Sequence, residues 1–201
     1  MTTLLQIKAS ISHDQGLSSQ LANNFVAAYR KAHSDTHVVV REVASAEPVP
    51  HLNGERFGAF IAKPEARTDA QHAVVAYSDA LIEELKRADI VVLGLPMYNF
   101  GVPSQLKAYF DHIARAGVTF KYTATGPVGL LTGKKVYVFA ARGGLYAGSP
   151  LDTQTGYVRD FLAFLGMKDV QFVYAEGLAV SPESREAGLA RAAAEIAALA
   201  A

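Results

Sequence analysis

Three short stretches hold the residues best placed to do chemistry. In the first, Ser10, Ser12, Ser18 and Ser19 crowd a small polar segment around Gly16 and Leu17. Where such a segment feeds a helix, the free N–H groups and the helix dipole attract an anion, and serine hydroxyls can donate to phosphate oxygens. A phosphomonoester suits that loop. Serines also sit at helix starts merely as caps, so both readings stand on these residues alone. With one glycine in the stretch there is no G-x-G-x-x-G fingerprint, and no G-x-x-x-x-G-K-[ST] phosphate loop occurs either.

The second stretch is Pro96-Met97-Tyr98-Asn99-Phe100-Gly101. Apolar side chains, an amide and several backbone N–H groups together suit a flat ring with a polar margin; the alternative is a strand-to-helix turn with incidental aromatics. Pro103 reads as a first-turn helix residue on either view. The third stretch, Ala141 to Pro150, contains adjacent Gly143 and Gly144, which permit either an unusual turn or close approach of a ligand to the main chain.

Other chemistries find less support. There is no cysteine, so thiolate metal sites, disulfides and a cysteine nucleophile are excluded. The 6 histidines show no ligand spacing, and no metal is expected. His112, on a helix of apolar period, is expected at the surface or an interface, and His13 in solvent.

These stretches need elements to hold them in place. Apolar strand-like runs at Leu4 to Ile7, Val38 to Val43, Ile90 to Leu95, Val136 to Ala141 and Val170 to Ala175 alternate with segments of helical period, the last opening at Ser181-Pro182. Five strands alternating with five helices imply an α/β fold, a doubly wound five-stranded parallel sheet with helices on both faces. In such sheets ligands bind beyond the carboxyl ends of the strands, which is where all three stretches fall. The chain, residues 1–201, is expected to be a single domain with an irregular connection at about 44–72 and an insertion at about 117–134.

Of the 201 residues 50% are hydrophobic, enough for a full core, and Lys+Arg and Asp+Glu are equal at 19 each. Neither a nucleic acid nor a strongly charged protein partner is indicated. No signal peptide is evident and no run reaches the roughly 18 apolar residues of a membrane span, so a cytoplasmic location is expected.

Pro96 through Asp111, Ala114 through Tyr122, Gly126-Pro127, Gly129 through Lys135, Arg142-Gly143-Gly144 and Ala175-Glu176-Gly177 resemble the FMN-dependent, NAD(P)H-using azoreductases and quinone reductases of the flavodoxin-like superfamily. The resemblance covers essentially the whole chain. It implies sheet order 2-1-3-4-5 and one FMN per subunit. The phosphate would lie on Ser10 and Gly16-Leu17-Ser18 with Ser19 nearby, the isoalloxazine along Pro96, Met97, Tyr98, Asn99 and Phe100, and its pyrimidine side against Ala141, Arg142, Gly143 and Gly144. Asn99, Phe100, Phe120, Tyr122, Tyr146 and Phe161 are the implied substrate-binding residues. This chain departs from relatives at Ala141, where many carry a hydroxyl residue, and at Gly16, where serine occurs.

The implied activity is ping-pong two-electron hydride transfer from NADH or NADPH to quinones and aromatic azo compounds. No side chain is nominated as catalytic, because the flavin carries the hydride and the protein supplies position and electrostatics. A homodimer is implied, with Phe57, Phe60, Phe120, Phe161 and Phe164 as candidate contacts. The alternatives are a flavodoxin-type electron carrier and a flavin-free domain on the same fold. On this reading a change at Gly101 redirects the loop and does more harm than Asn99→Ala.

Overall fold

A computed structural model describes all 201 residues. Strands β1 (Thr3–Lys8), β2 (His37–Glu42) and β3 (Ile90–Pro96) are followed by the short β4 (Phe120–Thr123) and β5 (Gly126–Gly129), then β6 (Lys135–Ala141) and β7 (Asp169–Ala175). The helices are α1 (Leu17–Ala32), α2 (Gly54–Ile61), α3 (Asp69–Arg87), α4 (Ser104–Ile113), α5 (Thr155–Leu165) and α6 (Pro182–Leu199). The main sheet is parallel with order β2-β1-β3-β6-β7. Once the β4–β5 hairpin is set aside, that is the expected 2-1-3-4-5.

Both faces of the sheet are buried, and the period-2 alternation of strand side chains divides the core accordingly. Leu5 and Ile7 of β1, Val91, Leu93 and Leu95 of β3, and Val136 and Val138 of β6 pack under α3, α4 and α5. Leu4, Ile90, Val92, Tyr137 and Phe139 meet Leu21 and Phe25 of α1 and Ala192 and Ile196 of α6 on the other face. Because the strands are parallel, the carboxyl ends of β1, β3, β6 and β7 all emerge on one side. Gly94 brings α1 down onto that edge: a Cβ there would lie 3.0 Å from the Ser18 carbonyl oxygen.

One stretch differs from expectation and another gains detail. The 44–72 connection is not irregular throughout: it contains α2, capped by the Asn53 side chain accepting from Arg56 N–H at 2.9 Å, and α3 already starts at Asp69 through a Thr68–Gln71 capping box. The 117–134 segment is built around the antiparallel β4–β5 hairpin. Gly129 of that hairpin lies so close to the end of α5 that a Cβ would fall 2.1 Å from Gly166 N.

His112 is corrected as well. It is fully buried, with Nε2 3.0 Å from the Pro50 carbonyl oxygen and its ring edge-on to Phe60 of α2 and Tyr77 of α3. The helix missed in the connection supplies one of the two rings that cover it. No helix is long and apolar enough to cross a membrane.

Candidate functional site

The loops after β1, β3 and β6 enclose a cleft of about 370 Å³ whose walls include Ser10, Gly16, Leu17, Ser18, Pro96, Met97, Tyr98, Ala141, Arg142 and Gly143. An adjoining recess is lined by Met97, Asn99, Phe100, Gly143 and Tyr146. Most residues singled out in the sequence therefore converge on one place.

At one end stands the N-terminus of α1. Its first helical hydrogen bond runs from Gln20 N–H to the Gly16 carbonyl, so the N–H groups of Leu17, Ser18 and Ser19 have no acceptor in the chain. The hydroxyls of Ser18 and Ser19 are buried and also without a partner. Buried polar groups are ordinarily satisfied, so this cluster of orphan donors is built for an anion. Ser18 lines the cleft; Ser19 is buried one residue behind it. Gly16 has an ordinary φ of −69°, but a Cβ there would lie 2.0 Å from Ser10 Oγ. The departure from serine at this position thus has a physical reason: the Ser10 side chain occupies the space.

The wall after β3 is a tight turn. Tyr98 N–H donates to the Gly101 carbonyl at 3.2 Å and Gly101 N–H to the Tyr98 carbonyl at 3.0 Å, with Asn99 at φ 49° and Phe100 at φ 64°. Two central residues at positive φ are the pattern of a type I′ turn, normally made with asparagine and glycine. Asn99 suits it; a phenylalanine in the left-handed region is unusual and marks a strained, defined surface. The N–H groups of Asn99 and Phe100 have no acceptor in the chain. Gly101 itself is unstrained, with room for a side chain: a Cβ would come no closer than 3.7 Å to the Tyr98 carbonyl oxygen. The expectation that Gly101 is the sensitive position is therefore corrected; the strain lies at Asn99 and Phe100.

The third wall follows β6. Gly143 and Gly144 use their carbonyls to accept from Ala179 and Gly177, while their own N–H groups donate to nothing in the chain. Gly144 does not line the cleft; the Tyr146 ring covers it, 2.6 Å from where a Cβ would stand. Tyr146 meets Phe100 edge-on at 5.6 Å, closing the recess.

Arg142 reaches the cleft only through its main chain. The guanidinium is fully buried and turned away, bound to Asp152 at 3.0 Å, Glu176 at 3.1 Å, Thr155 Oγ1 at 2.9 Å and Gln154 Oε1 at 3.3 Å, with the Tyr174 ring 5.0 Å away. Burial acts to raise the Asp152 carboxyl, but the hydrogen bonds from Arg142 and Thr155 outweigh it and hold the group below its ordinary value. Glu176 also accepts from the N–H groups of Tyr146 and Ala147, so the same carboxylate fixes the third wall.

Three expected substrate residues are not at this cleft in the single chain. Phe120 is buried against Phe164 at 4.3 Å, Phe161 stacks on Phe110 at 4.2 Å, and Tyr122 stands 74% exposed on the hairpin. Conversely, Ser12, Gln15, Leu178, Ala179 and Arg185 line the cleft and were missed. The signal for the last three was available: the segment after β7 opens at the same sheet edge as the other three loops.

With this geometry in view, comparison with known proteins decides the family. The family model described as flavodoxin-like fold matches residues 2–200. A protein of Cellvibrio japonicus named FMN-dependent NADH:quinone oxidoreductase is 60% identical over 178 residues, 89% of each chain. The chain belongs to the flavodoxin-like family. Among solved structures, an azoreductase from Bacillus anthracis superposes with a TM-score of 0.91 at 32% identity, covering 100% of this chain and 99% of its own. A FMN-dependent NADH-azoreductase from the same species, in complex with FMN, gives 0.87 at 28% identity with 100% of both chains covered. In this flavodoxin-like chain the cleft lies beyond the carboxyl ends of the strands, as the fold rule requires.

Proposed function

We propose that this chain is an FMN-dependent oxidoreductase that uses NADH or NADPH to reduce quinones and to cleave aromatic azo compounds to amines, with NADH, the donor in the relative's name, as the first co-substrate to test. The single observation that carries it is the meeting, in one cleft, of an orphan-donor anion site with two loops that turn unused N–H groups outward. The relatives' names lend nothing to the electron-carrier alternative.

The residues present fit FMN. The hydroxyls of Ser10 and Ser18 and the N–H groups of Leu17, Ser18 and Ser19 would hold the phosphate, with Ser19 Oγ a further buried donor beside it. The ring would lie along Pro96, Met97, Tyr98, Asn99 and Phe100, with Ala141, Arg142 and Gly143 at its pyrimidine side. When bound, FMN supplies the two-electron chemistry, taking a hydride from the nicotinamide and passing it to the quinone or azo substrate in two half-reactions.

The chain's own part is placement. The N–H groups of Asn99 and Phe100 would donate to one edge of the ring, and that of Gly143, which lines both the cleft and the recess, would favour negative charge at the other. Because they belong to loops fixed by Glu176, Gln154 and Tyr98, no reorganisation is needed as charge develops. Neither an Asp, a Glu nor a His lines the cleft or the recess, so no side-chain acid is assigned.

A homodimer in the cytoplasm completes the proposal. Phe100, Leu145 and Leu151 leave the rim of the site apolar and exposed. Tyr122, exposed on the hairpin, and the half-buried Phe161 of α5 would be offered to the site by a second copy, with Phe120 packed beneath them.

Flavin-free protein tests the cofactor part directly. FMN added to it should remain through gel filtration at one per chain and lose its visible absorbance when NADH is added without oxygen. Flavin that separates from the protein would defeat the proposal.

A further inference from the structure

We propose that Gln154, acting with Thr153, is a positioning residue that holds the Tyr98–Gly101 turn in the shape that presents the Asn99 and Phe100 N–H groups to the flavin. The inference rests on the FMN reading above and adds to it two residues whose side chains point at the back of the loop.

Gln154 is fully buried and all its amide functions are engaged. Nε2 donates to the Pro96 carbonyl at 2.9 Å and to the Gly101 carbonyl at 3.1 Å, while Oε1 accepts from Arg142 Nε at 3.3 Å. The neighbouring Thr153 Oγ1 donates to the Phe100 carbonyl. Three carbonyls of the segment 96–101 are therefore drawn to the stretch just ahead of α5. Among the N–H groups of that segment, those of Asn99 and Phe100 alone are left over.

The turn needs such a restraint. Positive φ at two successive L-residues, one of them aromatic, is a conformation that persists only where its surroundings over-determine it. Arg142 extends the restraint inward, because its guanidinium is fixed by Asp152, Glu176 and Thr155 and fixes Gln154 in turn. The buried ion pairs thus act on the cofactor wall through one amide. Only an amide meets the demand. A carboxylate at this position could accept from Arg142 but would face two carbonyl oxygens with no proton to give.

The test uses flavin-free wild type, Gln154→Glu, Gln154→Leu, Thr153→Val and Thr153→Ser, each titrated with FMN while the visible spectrum is followed, and each melted without flavin. Wild type and Thr153→Ser should bind alike. Gln154→Glu, Gln154→Leu and Thr153→Val should each weaken FMN about tenfold and displace the visible bands of the bound flavin. Gln154→Glu sets a buried carboxylate against two carbonyl oxygens and should also lower the melting temperature, so the displaced visible bands and the threonine pair, not stability, report the loop. Variants that bind FMN within roughly twofold of wild type with unaltered spectra would overturn the inference. A loss as large in Thr153→Ser as in Thr153→Val would do the same, and the threonine pair keeps the test open should a glutamine variant not fold. Failure of wild type itself to bind FMN would overturn the flavin reading; normal wild-type binding with indifferent variants would overturn this inference alone.

Discussion

The Tyr98 hydroxyl lies 3.3 Å from Ser10 Oγ and accepts from Ile11 N–H at 3.3 Å, so the loop after β3 is tied to the loop after β1 by one side chain. Ser10 Oγ in turn accepts from Ser12 N–H at 3.2 Å. The anion end and the ring wall of the cleft are thereby held at a fixed separation. Tyr98→Phe keeps the ring and removes the link. It loses both contacts of the hydroxyl, each long at 3.3 Å, and should weaken FMN about fivefold, near 1 kcal/mol in all, with little change in melting temperature. Titration of flavin-free protein measures it.

Strain at the turn makes a prediction that runs against the residue types. Glycine is the usual sensitive position in a loop, yet Gly101 has an ordinary φ and space for a side chain, whereas Asn99 sits at φ 49°. Asn99→Val should therefore cost about 1–2 kcal/mol in turn geometry and lower FMN affinity accordingly, because a β-branched residue resists the left-handed region. Gly101→Ala should be nearly neutral in the same titration, and Asn99→Gly should bind at least as well as wild type.

Arg185 supplies a charge test. It lines the cleft beside Ser12, Gln15 and Gly16, and its hydrogen bond goes to the Leu178 carbonyl at 3.3 Å, not to a carboxylate. The Arg142 charge is spent on Asp152 and Glu176, which leaves Arg185 as the cation lining the cleft that has no carboxylate partner. Arg185→Ala should weaken FMN about fivefold, in keeping with an exposed ion pair, and leave riboflavin, which lacks the phosphate, unaffected. Raising salt should shrink the difference between the two proteins. Equal losses for both flavins would show that Arg185 does not read the phosphate.

Much of this was legible in the residues and some was not, for identifiable reasons. The strands of the main sheet stood out because burial on both faces makes them nearly continuous apolar runs, as in Ile90 to Leu95. The site loops followed from the fold, since parallel strands bring their ends to one edge. α2 escaped because it has only 8 residues, with Gly54 and Gly58 among them. β4 and β5 are 4 residues each and include Gly126 and Pro127, which read as turn. Direction was the deeper limit. Residue type shows that Arg142 lies in a ligand loop, but not that its guanidinium turns away to bind Asp152 and Glu176. Nor could it show that Gln154 reaches back across 58 residues to Pro96.

His112 gives a pH dependence. Burial holds its imidazole below the ordinary 6.5, with the Pro50 carbonyl and Asp111 pulling the other way and Arg56 adding to the depression. A group whose folded pKa is depressed contributes most above its unfolded value. Between 6.5 and the lower folded pKa the unfolded chain binds more protons, so stability is lost as pH falls through that window. His112→Gln, which can still donate to Pro50, should flatten the fall in melting temperature below about pH 6.5. An identical slope in wild type and variant would remove His112 from the acid response.

The most direct measurement of the central claim is steady-state oxidation of NADH by the FMN-loaded protein with a benzoquinone as acceptor, both concentrations varied. The account predicts turnover that depends on added FMN, with parallel double-reciprocal lines, since donor and acceptor use the same flavin face in succession. Protein that holds FMN at one per chain yet oxidises neither NADH nor NADPH in the presence of the quinone would contradict it.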